Sequence, residues 1–274
     1  MAMNNDIQHE FGFADAKNHR LRRGVYLLPS AMTVGNLLCG FYAILATLKG
    51  GPADLDYAAR AIGIAILFDM FDGFVARATH TNTDFGKQLD SLADMVSFGI
   101  APAILGFAWG VRTMLESDSM EAHHVYELGW LVSLAFVICG AWRLARFNVQ
   151  GMAQGSGLRY FIGMPIPAAA GMIAATVHAV RGPLEDWRWS LLWLCLVLAL
   201  AALMASTVRY PSFKEFPLGK RQPSVMIVVL ALLVWLIVVY SEPVLMLMAS
   251  AYMASGLVFH VIRLVRHRLV SKPA

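Results

Sequence analysis

The sequence predicts an all-α, polytopic membrane helix bundle with about eight transmembrane helices, and three observations carry that prediction. Hydrophobic residues fill 58% of the 274 positions and charged ones 15%, giving a mean hydropathy of +0.59, outside the balance of a soluble domain. Eight apolar stretches follow one another at about 30–49, 57–78, 86–111, 126–147, 165–181, 188–206, 223–240 and 243–264. Most are near the ~20 residues that cross a ~30 Å hydrocarbon core. The cations alternate from loop to loop: with eight spans, 17 of the 22 Lys and Arg residues fall on the side that holds both termini. By the positive-inside rule that side is cytoplasmic, and adding or removing one helix would scramble the alternation.

Residues 1–28 form a polar segment in which Lys17, Arg20, Arg22 and Arg23 precede the first apolar run. That cluster suits anionic lipid, and ordinary topology explains it equally. The segment lacks the short apolar run and small-residue cleavage site of a secretory signal, so the first span is expected to direct insertion itself. Residues 29–265 then make one membrane domain and residues 266–274 a short basic cytoplasmic tail. Cys39, Cys139 and Cys195 stand singly in different apolar stretches, without metal-ligand or CxxC spacing, and read as small core residues. The connector at about 207–222 is the most basic, with Arg209, Lys214, Lys220 and Arg221. It reads as a holder of a phosphorylated ligand or as a topology determinant. His178 and the tryptophans read as packing or interface anchors, while His123 and His124 fall on an outer loop. Multi-pass insertion in the cell (inner) membrane is expected, with no nucleic-acid partner.

One stretch breaks the apolar pattern. Asp69, Asp72, Asp90 and Asp94 lie inside the second and third apolar stretches, where each charge costs roughly 2.5–3.5 kcal/mol on insertion scales and so needs a partner or a water-filled cavity. Spacings of three and four residues put each pair on one helix face. A turn between Ala78 and Phe85 joins the two helices, with Asp84 as a candidate cap. Counting ~1.5 Å per residue from that turn places Asp72 and Asp69 roughly 9 and 14 Å deep, and Asp90 and Asp94 at roughly 6–12 Å. The pairs therefore face each other as an all-oxygen cage for hard divalent ions. Gly73, Ala76, Gly86 and Ala93 are small enough to let helices and a ligand approach. Arg77 alone cannot neutralise four acids.

The pattern D-x2-D-G-x2-A-R-x8-G-x3-D-x3-D, filled by Asp69, Asp72, Gly73, Ala76, Arg77, Gly86, Asp90 and Asp94, resembles the signature of the CDP-alcohol phosphotransferase family at every defined position. The resemblance implies a membrane enzyme that displaces CMP from a CDP-linked lipid or alcohol, using two divalent ions, Mg²⁺ or Mn²⁺. It implies that Asp69, Asp72 and Asp90 are metal ligands, and that Asp94 is the base near the acceptor hydroxyl and a further metal ligand. Thr33 and Asn36, which share a face of the first helix, are candidates for the CDP-lipid site or for holding the bundle. Gly73, Ala76 and Gly86 would line the nucleotide pocket, with Arg77 near the phosphates.

Further stretches resemble the serine-accepting branch of that family: Pro29–Gly40, Asp90–Ala103, Arg143–Asn148, Gly163–Ala170 and Arg209–Lys214. They imply CDP-diacylglycerol and serine as substrates, phosphatidylserine and CMP as products, and a homodimer in the lipid bilayer. Arg143 and Arg146, three residues apart, are candidates for a diphosphate or an amino-acid carboxylate, with positive-inside anchoring as the lesser reading. Asn148 and Lys214 are candidates for the same cleft. With no evident covalent nucleophile, direct displacement is expected. The alternatives are another acceptor, glycerol 3-phosphate or inositol phosphate, and, from a different class, a divalent-cation transporter. Against transport, no matching carboxylates stand in the outer half.

Overall fold

The computed structural model describes residues 31–79, 83–117, 119–153, 160–211 and 239–270, with 232 and 235–237. The helices are α1 (Ala31–Lys49), α2 (Pro52–Thr79), α3 (Asp84–Asp94), α4 (Ala101–Gly110), α5 (Met120–Ala153), α6 (Ile166–Ala179), α7 (Trp187–Ala205) and α8 (Ser241–Val270). A π-helical turn, Met95–Ile100, joins α3 to α4 in one continuous rod, and a 3-10 turn, Arg112–Glu116, follows α4. Two three-residue strands, β1 (Tyr160–Ile162) and β2 (Arg209–Pro211), pair antiparallel with Phe161 opposite Tyr210. Proline sets two helix starts, at Pro52 of α2 and at the N-cap Pro165 of α6, where its missing N–H costs nothing.

Among the described residues, four helices are long and apolar enough to cross a membrane: Ala31–Lys49, Asp84–Gly110, Met120–Val149 and Trp187–Ala205. α6 is apolar but shorter, at 14 residues. α2 has the length, but Asp54, Asp56, Arg60, Asp69, Asp72 and Arg77 leave every 18-residue stretch of it with more than two charges. The carboxylates that single out this helix are what remove it from a composition-based count. The apolar stretch expected at 223–240 lies largely outside the described residues.

The buried core is rich in alanine, including Ala58, Ala59, Ala61 and Ala65 of α2 and Ala169, Ala170 and Ala174 of α6. Small side chains let these backbones come close, which in lipid replaces the hydrophobic drive that water would supply. α5 packs along α7, and α6 lies between α2 and α8. Trp193 of α7 donates its indole N–H to the Gly106 carbonyl of α4 at 2.8 Å and meets Trp109 edge-on at 4.8 Å. Gly163 turns the chain from β1 into α6 with φ of 80°, a conformation that disfavours any Cβ. Its N–H bonds the Val208 carbonyl at 2.7 Å, so the chain after α7 is pinned beside the start of α6. Tyr210, fully buried, stacks on Tyr252 of α8 at 5.6 Å. Cys39 and Cys139 are partly buried, but Cys195 is exposed on α7, correcting its reading as a core residue: on a helix that meets lipid, an apolar side chain is at home on the outer face.

Candidate active site

The hairpin of α2 and α3 builds the site. Asp69 and Asp72 stand one turn apart on α2, and α3 returns beside it with Asp90 and Asp94 one turn apart at its end. The residue that caps α3 is Thr83, whose hydroxyl accepts from the Gly86 N–H at 3.0 Å. This corrects the expectation for Asp84, which lies in the first turn and pairs with Lys87 at 3.0 Å on the surface. The fitter cap is the residue with extended backbone, φ −103° and ψ 152°.

One oxygen each of Asp69, Asp90 and Asp94 lies within 4.8 Å of the other two. The structure brings three of the four expected carboxylates together. Asp72, 6% exposed, turns to α1 and accepts from the Thr33 hydroxyl. Asp94, 8% exposed, accepts from Asn36 Nδ2 at 3.1 Å. Thr33 and Asn36 are 4% and 0% exposed, so both contacts are sealed from solvent and lipid.

Arg143 of α5 is 7% exposed, with its guanidinium 5.6 Å from the Phe147 ring centre. Asp94 and Asp69 lie close enough for their charges to act on it, and the Tyr252 phenol of α8 lies nearby. Asn148, one turn further along α5, donates to Ser91 Oγ of α3 at 2.9 Å and so fastens α5 beside the carboxylates. Arg146, expected beside Arg143 as a phosphate or carboxylate contact, has its guanidinium donating to the Met204, Ala205 and Ser206 carbonyls at 3.1–3.3 Å. Those are the open carbonyls at the C-terminus of α7, where a cation satisfies both hydrogen bonds and helix dipole. Gly73 and Gly86 lie on the hairpin, Gly86 within the α3 cap. The side chains of Ala76 and Arg77, and all of Lys214, lie outside the described residues.

Four carboxylates and one buried guanidinium leave this region short of positive charge among the described residues. Burial makes such an imbalance expensive unless a cation completes it. Three carboxylate oxygens with no His or Cys ligand in the group, among the described residues, suit Mg²⁺, Mn²⁺ or Ca²⁺ over softer metals. Ser91 and Ser97 stand in the Asp90–Ala103 stretch that carries the resemblance, without a role assigned to them, and Tyr252 is the residue that sequence reading missed. Tyr252 sits in a stretch whose only signal was hydrophobicity.

Comparison with known proteins points to one family. The family model for CDP-alcohol phosphatidyltransferase matches residues 26–203, which include α1 to most of α7. A Helicobacter pylori protein named CDP-diacylglycerol–serine O-phosphatidyltransferase is 31% identical over 245 residues, 87% of this chain and 91% of its own length. Proteins of the same name from Bacillus subtilis and Saccharomyces cerevisiae are 33% identical over 188 residues and 35% over 178. The first covers 69% of this chain and 92% of the relative, the second 61% and 59%. On the family match, on these identities and on the carboxylate hairpin, the chain belongs to the CDP-alcohol phosphatidyltransferase family.

Proposed function

We propose that this protein transfers the phosphatidyl group of CDP-diacylglycerol to the hydroxyl of L-serine, yielding phosphatidylserine and CMP. The observation that carries the reading is the trio Asp69, Asp90 and Asp94, in a chain similar over most of its length to proteins named for that reaction. The cation-transporter reading has no support from these relatives.

Asp69, Asp72, Asp90 and Asp94 would hold divalent ions, which when bound neutralise the diphosphate and the leaving phosphate oxygens. The serine oxygen attacks the lipid-bearing phosphorus, forming one P–O bond as the P–O bond to CMP breaks. Asp94 takes the hydroxyl proton. Its carboxylate is held from α1 by Asn36, which keeps it oriented without adding charge. Arg143, buried beside Asp94 and Asp69, faces the anionic part of a substrate, either the diphosphate or the serine carboxylate. Arg146, already bonded to three carbonyls, supports α7 in this scheme. The same reading includes two ions, cytoplasmic termini in the cell membrane, eight spans and a homodimeric assembly.

The deciding assay supplies purified protein with Mg²⁺ or Mn²⁺, CDP-diacylglycerol and labelled serine, glycerol 3-phosphate or inositol phosphate in separate reactions. Lipid labelled from serine alone, and only with CDP-diacylglycerol present, is the expected result. Label from another alcohol reassigns the acceptor.

A further inference from the structure

α1 is an apolar helix that carries two sealed polar side chains one turn apart, Thr33 and Asn36. A polar group buried among helices in lipid is retained only where it has a partner. Each of these has a carboxylate: Thr33 donates to Asp72 Oδ2 and Asn36 to Asp94 Oδ1. In both cases one carboxylate oxygen, Asp72 Oδ2 or Asp94 Oδ1, is bonded to α1. Neither donor is charged, so the carboxylates are oriented without being neutralised, as an arginine would neutralise them.

The surroundings of Asn36 argue that it is kept for this contact. Its own Oδ1 is buried with no hydrogen-bond partner among the described residues, a defect that a well-packed apolar residue would avoid. Its backbone carbonyl accepts from Ser97 Oγ at 2.9 Å, and Ser97 belongs to the π turn that starts directly after Asp94. One turn along α1, a Cβ on Gly40 would lie 2.3 Å from Ser97 Oγ and 2.7 Å from its Cα. Only glycine allows α1 to press this closely on the π turn, and that closeness brings the Asn36 amide to Asp94.

We propose that Thr33 and Asn36 are positioning residues that set the carboxylates of Asp72 and Asp94 for the transfer step, and that neither acts by contacting the nucleotide. The inference rests on the phosphatidyl-transfer reading above and replaces the nucleotide-site expectation for these two residues. Its test uses the full-length protein in detergent with three readouts: steady-state kinetics, Mn²⁺ affinity by EPR and CMP affinity by calorimetry. Thr33→Val and Asn36→Leu keep the size and remove the donor. Each is expected to lower kcat by about 10- to 100-fold and to weaken Mn²⁺ by a similar factor, with KM for CDP-diacylglycerol and CMP affinity within about twofold of wild type. Thr33→Ser, which restores the hydroxyl, is expected to recover most of kcat. The two donors serve different carboxylates, so one folded donor-less variant suffices.

A raised KM and weakened CMP binding at unchanged kcat would make them nucleotide contacts and overturn the proposal. Lower thermal stability with wild-type kcat and Mn²⁺ affinity per folded molecule would reduce them to helix adhesion and overturn it also. If wild type turns over another acceptor and not serine, the function reading fails while the same measurements, made with that acceptor, still decide this one.

Discussion

Helix α2 carries a polar cluster near each end, and the two are built on opposite principles. Near its N-terminus, Asp56 receives His178 Nδ1 at 2.5 Å and Arg60 at 2.7 Å. His178 reaches Ser241 Oγ through its other nitrogen at 2.8 Å, and Arg181 pairs with Glu242 beside it. Each charge there has a counter-charge, and the contacts tie α2 to α6 and α8. About 20 Å along the helix, Asp69 meets Asp90 and Asp94, with Asp72 turned to α1 one helical turn away and, among the described residues, one buried arginine, Arg143, nearby. The first cluster is balanced by protein groups; the second, among the described residues, is not, and in the function proposed above cations from outside complete it. Polar residues in a membrane bundle thus serve adhesion where they balance and chemistry where they do not.

The sharpest way to break this contrast is at the unbalanced end. Asp90→Asn is expected to lower turnover by at least about a thousandfold, since it removes a ligand and not merely its support. The same variant should unfold at an equal or higher temperature than wild type in metal-free detergent, because a repulsive charge is gone; a fall in that temperature would mean that Asp90 is a structural partner. Next in size is the response to metal. Mn²⁺ at about a hundred times its Kd stabilises a protein that binds it only when folded by about 2.7 kcal/mol, so wild type should unfold several degrees higher with the ion, and Asp90→Asn should lose most of that rise.

The balanced end is expected to answer in the reverse way. His178→Leu leaves Asp56 half-buried with one partner fewer, a loss of roughly 1–3 kcal/mol, while kcat per folded molecule stays within about twofold of wild type. If His178→Leu changes kcat more than stability, the two clusters communicate and the contrast fails. The smallest effect belongs to Arg181→Gln: an exposed ion pair contributes little, and a melting curve should not separate it from wild type.

Much of the site was legible because helix spacing is a strong ruler. The aspartates at 69, 72, 90 and 94 fixed two faces and a common depth, and the structure brings three of them within reach of one ion. Thr33 and Asn36 were placed on one face of α1, but a single sequence does not say which helix that face meets. Arg146 illustrates the same limit: its partners are backbone carbonyls 58 to 60 residues away, and a carbonyl has no sequence signature. Hydrophobicity likewise does not sort the lipid-facing Cys195 from core residues, since lipid is as apolar as the bundle interior. The choice of Thr83 over Asp84 as cap turned on backbone geometry, because both types cap well.

The π turn at Met95–Ile100 carries one last consequence. It houses an extra residue relative to an α-helical turn, so the faces of α3 and α4 are offset by roughly 100°, the rotation of one residue. The rod is therefore a phase shifter: α4 can bury Leu105, Ala108 and Trp109 while α3 presents Asp90 and Asp94 to α2. Deleting one residue between 95 and 100 would keep every aspartate, every apolar contact residue of α4 and a regular helix, yet rotate the two carboxylates out of register with their partners.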